Sequence, residues 1–292
     1  MSSVLVLVAN PLDTALDSKL AEAIQHETGG EINWLHQRIA CDIRDPKGAD
    51  AVMTARQVIG GKPVDAALVP AANRRKKLLV ADMDSTMIEQ ECIDELADAV
   101  GIKDQVAEIT SRAMNGELDF EQALRTRVAL IKGLERKVVE EIRRERITLA
   151  PGGRALIHTM KAFGAYTSLV SGGFTLFADY FAKRIGFDEA VANVLEFDDE
   201  QRLTGTVALP IVDKTTKLTR LQTLAAERSI PMEQTMAVGD GANDLDMIRA
   251  SGLGVALHAK PHVAAEAHVR IDFADLTALL YLQGFGEEDI VR

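Results

Sequence analysis

Features that direct a chain to a redox scaffold, a membrane or a secretion route are scarce in this sequence. Its 292 residues include only two cysteines, Cys41 and Cys92, with neither CxxC spacing nor a nearby histidine pair. This scarcity argues against a disulfide scaffold and against a zinc site. The apolar runs are far shorter than the roughly 18 residues of a membrane span, and no basic stretch precedes the first of them, as a signal peptide requires. We therefore expect a soluble, cytoplasmic protein that does not bind membranes.

Positive charge is also in deficit. The chain has 33 Lys and Arg residues against 44 Asp and Glu residues, which gives a formal net charge of −11. This balance disfavours binding to nucleic acid or to an anionic membrane. The basic run at 74–77 is short, and we interpret it as a solvated link between two domains. The length of the chain suits one large domain and a smaller one.

The two expected domains differ in hydrophobic pattern. In residues 1–73, segments of strand and helix character alternate in the order β-α-β-α-β, with one extended segment across 32–43. This order predicts a small α+β domain of ferredoxin-like type. In residues 74–292, short apolar strands alternate with helices, and a helix-rich stretch at about 88–150 follows the first strand. We expect a doubly wound parallel sheet with an inserted helical cap.

Two aspartate-rich loops follow two of these strands. Asp82 and Asp84 come directly after the first strand, and Asp240 and Asp244 lie in the segment GDGAND after a later one. Ligand sites of open α/β sheets lie at the carboxyl ends of strands, and ligands that are all oxygen favour Mg²⁺ over zinc. Taken alone, the first pair also fits a polar loop and the second a turn that caps a helix.

Two further signals suit a phosphate group. The segment Ser171-Gly172-Gly173, between a strand and a helix, leaves backbone N–H groups free to hold a phosphoryl oxygen. Lys214, near a helix start, offers a cation that neutralises a phosphoryl group, and Lys217 competes for this role. A common turn and a solvated lysine remain the alternatives for these two signals.

In chain order the motifs are DxDxT, SGG, Lys and GDGxND. Together they resemble the haloacid dehalogenase-like phosphatase superfamily over roughly residues 78–257. The resemblance implies that Asp82 is the nucleophile and that Asp84 is the general acid and base. It also implies that Mg²⁺ is bound by side-chain oxygens of Asp82 and Asp240 and by the Asp84 carbonyl. Asp244 would either bind the ion directly or lie one layer further out.

A closer resemblance rests on the segments DSTMIEQECIDELA and AMNGELDFEQALRTRV, which are similar to phosphoserine phosphatases. It implies hydrolysis of O-phosphoserine, the last step of serine biosynthesis. The cap would then supply Glu91 for the substrate ammonium and Arg127 for its carboxylate, with Met114 and Phe120 beside them. Ser171, Gly172, Lys214 and Asn243 would hold the phosphoryl group or the substrate. An ion pair within the cap is the alternative for Arg127.

Other functions remain open at this point. A related enzyme could act on phosphohomoserine or on a phosphosugar, although a sugar phosphate offers no partner for Glu91 or Arg127. A signalling receiver that accepts a phosphoryl group, or an amino-acid-binding module with an inactive phosphatase core, has similar motifs. Residues 1–73 resemble the ACT-like regulatory domains attached to some members of the family, which implies amino-acid sensing, or a structural role that includes a homodimer.

Overall fold

The structure is a computed structural model that describes residues 2–48, 50–114 and 117–291. The side chain of Met114 lies outside the described part, so its predicted contact with substrate stays a prediction. Two main sheets organise the described residues, one of four strands and one of six. No helix among them is long and apolar enough to cross a membrane.

The first sheet is antiparallel and belongs to the N-terminal 70 residues. Its elements are β1 (Ser3–Ala9), α1 (Ser18–Thr28), β2 (Glu31–His36), β3 (Ala40–Arg44), α2 (Ala51–Ile59) and β4 (Val64–Pro70). The strands lie in the order β2-β3-β1-β4, which is the order of a ferredoxin-like βαββαβ unit. The single extended segment expected across 32–43 is wrong, because a turn at 37–39 divides it into a hairpin.

Strand β1 is buried on both faces. Leu5 and Leu7 pack with α1 and α2 on one side. Val4, Val6 and Val8 join the large core shared with the remainder of the chain on the other side. This explains the unbroken apolar run at the N-terminus, since a strand covered on both faces has no polar face to alternate with.

The second sheet is parallel and confirms the doubly wound α/β class. Its strands lie in the order β12-β11-β10-β5-β6-β7. In chain order they are β5 (Leu78–Ala81), β6 (Tyr166–Phe174), β7 (Glu189–Asn193), β10 (Thr235–Gly239), β11 (Leu253–Leu257) and β12 (Val269–Ile271). A small hairpin stands apart from this sheet, with strands β8 (Leu195–Phe197) and β9 (Leu203–Val207).

Helices accompany this sheet and also form the expected insertion after β5. The inserted cap contains α3 (Cys92–Asp98), α4 (Lys103–Met114), α5 (Phe120–Leu130) and α6 (Arg136–Glu145). The remaining helices are α7 (Gly153–Ala162), α8 (Thr175–Ile185), α9 (Lys214–Glu227), α10 (Leu245–Ala250), α11 (Pro261–Ala264) and α12 (Ala278–Leu282). Short 3₁₀ segments lie at Met232–Gln234, Ala242–Asp244 and Glu287–Asp289.

The order of strands decides where a site can form. Strand β5 lies between β10 and β6, and all three run parallel. Their carboxyl ends therefore meet at one edge of the sheet, which is where ligands bind in open α/β sheets. The three motif loops start at this edge, and the cap is inserted directly after the first of them.

Candidate active site

The loops after β5 and β10 bring three carboxylates together. Carboxylate oxygens of Asp82, Asp240 and Asp244 lie within 4.8 Å of one another, and all three side chains are buried. The backbone holds the loops in register, since the Asp82 amide donates to the Val238 carbonyl at 3.0 Å. Three buried carboxylates repel one another unless a cation or a proton compensates. This cluster can therefore bind a metal ion.

Burial and mutual repulsion both raise the pKa values of Asp240 and Asp244. Burial, followed by the charges of Asp244 and Asp82, raises the pKa of Asp240 to about 8. Burial and the charge of Asp82 raise the pKa of Asp244 to about 7, against the opposing effect of Lys217. In the absence of a metal ion, protons compensate this charge near neutral pH.

Lys217 places an ammonium group in this cluster. Its Nζ lies 2.7 Å from Asp82 Oδ1 and 2.6 Å from Asp244 Oδ1, and its side chain is 1% exposed. Burial alone would lower its pKa, but the two carboxylates outweigh burial and raise it. The ammonium group thus remains charged and fixes the orientation of both carboxylates.

The structure corrects the prediction that Lys214 lies in the phosphate site. Lys214 is the first residue of α9 and is exposed, and it lines an outer groove between the cap and the loop at 209–213. Lys217 lies about one turn further on, on the face that also buries Leu221 and Leu224. A position at the helix start therefore faces solvent, and the position three residues later faces the site.

Asp84 lies apart from the three-carboxylate cluster. Its Oδ1 accepts the Cys92 amide at 2.8 Å, and its Oδ2 accepts the Ser171 hydroxyl at 3.2 Å. Burial raises the pKa of Asp84, and the charge of Asp82 adds to the increase. A raised pKa favours the protonated carboxyl group, which is the form that a general acid needs. Its side chain supplies no ligand to the cluster, so a metal role through its backbone carbonyl stays a prediction.

Strand β6 ends against Asp84 and the cap. The Gly173 amide donates to Ser171 Oγ at 2.8 Å. A Cβ atom on Gly172 would lie 2.8 Å from Phe120 Cζ, and one on Gly173 would lie 2.6 Å from Asp84 Oδ2. Both glycines are thus required by close approach, the first to the cap and the second to Asp84.

A pocket between the cap and the sheet joins these groups. It is lined by Asp82, Asp84, Glu91, Phe120, Arg127, Ser171, Gly172 and Asn243 from the predicted site, together with residues such as Thr110 and Gly173. Asn243 Oδ1 is buried without a hydrogen-bond partner in the described part of the chain. An unsatisfied buried acceptor in a pocket is suited to a ligand that donates a hydrogen bond.

Two groups of opposite charge lie on the cap side of this pocket. Arg127 is 7% exposed, and burial lowers its pKa against the raising effect of Glu91 and Asp94. Glu91 accepts the Ser85 hydroxyl at 2.6 Å, and burial, followed by the charge of Asp84, raises its pKa. A ligand with both an ammonium and a carboxylate group would find a partner for each.

Comparison with known proteins identifies the family of this chain. The model of the haloacid dehalogenase-like hydrolases matches residues 79–249. The chain belongs to this family. A phosphoserine phosphatase from Streptomyces coelicolor is 48% identical over 229 residues, which are 78% of this chain and 55% of that protein. The chain thus spans about half the length of this curated relative.

Solved structures support the same family membership. A HAD family hydrolase from Salmonella enterica serovar Typhi is 30% identical with a TM-score of 0.83, and the match covers 98% of this chain and 99% of that one. A structure described as a phospho-aspartyl intermediate analogue of phosphoserine phosphatase is 39% identical with a TM-score of 0.67. That match covers 71% of this chain and 98% of the other.

Several residues of this hydrolase site escaped the sequence analysis. Ser85 and Thr110 contact predicted site residues, but a serine or a threonine has no distinctive signal by itself. Ser85 adopts a left-handed backbone with φ of 54°, which is uncommon for a residue other than glycine. Cys92 follows Glu91 directly and donates to Asp84 through its backbone, so its residue type gave no indication.

Proposed function

We propose that this chain is a Mg²⁺-dependent phosphatase that hydrolyses O-phosphoserine to serine and phosphate. The observation that carries the proposal is a single pocket that joins Asp82 and Asp84 to Glu91 and Arg127. The first pair suits phosphoryl transfer, and the second pair suits the amino and carboxylate groups of an amino acid. Phosphoserine has all three recognised groups in one small molecule.

In the proposed reaction Asp82 and Asp84 divide the chemistry. A carboxylate oxygen of Asp82 attacks phosphorus, and the bond from phosphorus to the serine oxygen breaks. Asp84 gives its proton to the leaving oxygen, which departs as the serine hydroxyl. Asp84 then accepts a proton from the water that hydrolyses the aspartyl phosphate, and both aspartates return to their starting states. The related phosphoserine phosphatase captured as a phospho-aspartyl intermediate analogue supports this scheme.

The oxygen-only cluster of Asp82, Asp240 and Asp244 fits Mg²⁺, which prefers carboxylate and water ligands. When bound, the ion would neutralise charge on the phosphoryl group and on the cluster. Lys217 holds Asp82 through one oxygen and so limits the orientations available to the nucleophile. We propose that Ser171 and Gly172 bind the phosphoryl group, as predicted, and that Asn243 binds either this group or the substrate. We assign to Lys217 the role predicted for Lys214.

Recognition of the substrate falls to the cap. Arg127 would bind the carboxylate and Glu91 the ammonium group, with Phe120 packed over Gly172 at the pocket wall. A receiver that stores a phosphoryl group needs no such insertion, and a sugar phosphate would leave both charged groups unpaired. The cap therefore favours phosphoserine over the alternatives.

The organisation of the chain belongs to the same proposal. We infer a small domain at 1–73 and a phosphatase domain at 74–292, with the cap at about 88–150. The two cysteines are free and buried, which suits a reducing compartment such as the cytoplasm. Amino-acid sensing or self-association through the small domain stays a prediction.

Phosphate release from O-phospho-L-serine tests the proposal. Activity should require Mg²⁺ and disappear with EDTA. Arg127→Ala should reduce turnover of phosphoserine much more than that of phosphoethanolamine, which lacks the carboxylate. Arg125→Ala is the matched control, because Arg125 is exposed on the same helix and pairs with Glu121. Turnover of other esters with phosphoserine ignored would reject the substrate, and a stable phosphorylated Asp82 without turnover would reject the enzyme.

A further inference from the structure

Arg127 is buried in the cap without a direct carboxylate partner. Its Nε donates to the Ala123 carbonyl at 3.2 Å, and its Nη1 donates to Thr110 Oγ1 at 2.9 Å. Among the described residues, no carboxylate lies within ion-pair distance of its guanidinium group. A guanidinium group has five N–H donors. Donors not engaged by these two neutral acceptors remain for a ligand in the pocket that Arg127 lines.

Thr110 lies between Arg127 and the nearby carboxylate of Asp94. The Thr110 hydroxyl is 3.2 Å from Asp94 Oδ1 and 3.0 Å from the Val106 carbonyl, and Thr110 is 4% exposed. Because Arg127 donates to this oxygen, the single hydroxyl proton is left for one of those two acceptors. The charged acceptor strengthens such a hydrogen bond. Three cap helices, α3, α4 and α5, are thus joined through one hydroxyl group.

We propose that Thr110 is a positioning residue that determines specificity for the substrate carboxylate, and that it acts through Arg127. The hydroxyl fixes the guanidinium group by accepting one N–H bond. It also takes the place of a direct salt bridge between Asp94 and Arg127, which would occupy the donors that the substrate needs. The Asp94 charge still attracts the guanidinium group through the hydroxyl, at lower strength than in contact.

This inference rests on the proposed function, since it names how the same pocket recognises one part of phosphoserine. It differs from a structural role for Thr110 in a measurable way. Loss of packing would affect all substrates alike. Loss of positioning would affect only substrates that carry a carboxylate, because other phosphate esters do not use Arg127.

Thr110→Val tests the proposal, because valine keeps the shape and removes the hydroxyl group. The measured quantity is the ratio of kcat/KM for phosphoserine to kcat/KM for phosphoethanolamine. We expect Thr110→Val to reduce this ratio by at least about tenfold, as loss of a hydrogen bond to a charged group does. The loss should fall mainly on KM for phosphoserine. Thr110→Ser, which keeps the hydroxyl, should retain most of the preference.

Thr126→Val is the matched control. Thr126 is exposed on α5, and its hydroxyl donates to the carbonyl four residues earlier, as the Thr110 hydroxyl can. It should leave the ratio unchanged. Should Thr110→Val fail to fold, Asp94→Ala on α3 should lower the same ratio, because Thr110 would lose its charged acceptor.

The outcomes separate the two proposals. If the unaltered enzyme does not hydrolyse phosphoserine, the proposed function fails. If it does, and a folded Thr110→Val variant or Asp94→Ala keeps the full preference, the positioning role is wrong. An equal loss for both substrates would assign Thr110 a structural role only. In the double variant with Arg127→Ala, Thr110→Val should have little further effect on the ratio, since the group it positions is gone.

Discussion

At the scale of single residues, the difference between Lys217 and Lys214 gives a sharp test of the site. Lys217→Met removes the ammonium group between Asp82 and Asp244 and leaves two buried carboxylates facing one another. We expect turnover to fall by at least about a hundredfold, the usual cost of losing a preorganised charge. The folded state should lose about 3 kcal/mol in the metal-free protein. Phosphate release and urea unfolding in EDTA measure the two effects.

Lys214→Met makes the same chemical change on the same helix at an exposed position. It should change both quantities little, as is usual for substitutions at the surface. A loss of turnover in Lys214→Met with an active Lys217→Met would instead make Lys214 the phosphate contact.

The raised pKa of Asp240 and of Asp244 predicts how stability depends on pH. In the folded, metal-free protein the pKa of Asp240 is about 8 and the pKa of Asp244 is about 7. In the unfolded chain the pKa of an aspartate is about 4, as in model peptides. Between those values the folded state binds more protons. Its free energy of unfolding should therefore fall as pH rises from about 4 to about 8.

Unfolding in urea with EDTA, at several pH values, checks this dependence. Asp240→Asn should flatten the fall, and saturating Mg²⁺ should reduce it, because the ion compensates the charges that protons compensate at low pH. A free energy of unfolding that rises with pH over this window in the metal-free protein would contradict the prediction.

How far the sequence determined the site depends on the kind of residue. Asp82, Asp84, Asp240 and Asp244 were found because their motifs follow apolar strands, and parallel strands bring such loops together. The sequence could not separate Lys217 from Lys214, since each lysine stands four and seven residues before a leucine. The structure separates them, because it buries Leu221 and Leu224 on the face that Lys217 shares. Contacts made by Ser85 and Thr110 depend on tertiary packing and have no local signal.

At the scale of secondary-structure elements, the two glycines at the carboxyl end of β6 face different groups. Gly173 faces Asp84, and Gly172 faces Phe120 of the cap. Gly173→Ala would bring a Cβ within 2.6 Å of Asp84 Oδ2, an oxygen already held by Ser171. Gly172→Ala would instead meet the outer edge of the Phe120 ring at 2.8 Å. We expect Gly173→Ala to lower kcat by at least about tenfold, as displacement of a catalytic group does. Gly172→Ala should act mainly on KM.

Steady-state kinetics of the two alanine variants checks this division. In the Gly172→Ala background, Phe120→Leu should recover part of the lost affinity, since the smaller side chain relieves the contact. The same rescue in Gly173→Ala should not occur, because Asp84 rather than Phe120 is displaced there. Identical kinetic defects in both variants would mean that β6 does not divide the two functions.

The four-stranded sheet shows where the prediction of secondary-structure elements failed. The turn at 37–39 that creates β2 and β3 has the sequence Gln-Arg-Ile, without glycine, proline or asparagine. Arg38 adopts a left-handed backbone with φ of 63°, at a position where glycine is usual. The turn is therefore set by the pairing of β2 with β3 and of β3 with β1, which local sequence does not encode.

At the scale of the whole molecule, a buried aspartate joins the small sheet to the large one. Asp65 on β4 accepts backbone amides of Asp272, Phe273 and Ala274 at 2.8 to 3.1 Å. This loop follows β12, the edge strand of the parallel sheet. A second link is Arg74, whose guanidinium group forms two hydrogen bonds of 2.6 Å with Asp42. Polar links of this kind hold two layers in one relative position.

Asp65→Ala removes the charged acceptor and leaves three amides without it. Because a buried group that loses its partner costs about 1–3 kcal/mol, we expect the free energy of unfolding to fall by at least about 2 kcal/mol, measured in urea with probes for each sheet.

Trp34 on β2 reports on the small sheet by fluorescence, and phosphate release reports on the site. Asp13→Ala, at an exposed position in the turn after β1, is the control and should change neither. If the small sheet is held independently of this link, Trp34 and activity will respond to urea as in the unaltered protein. If Asp65 couples the layers, Trp34 should lose its native signal at lower urea than activity does, which would show that the proposed active site survives without the small sheet.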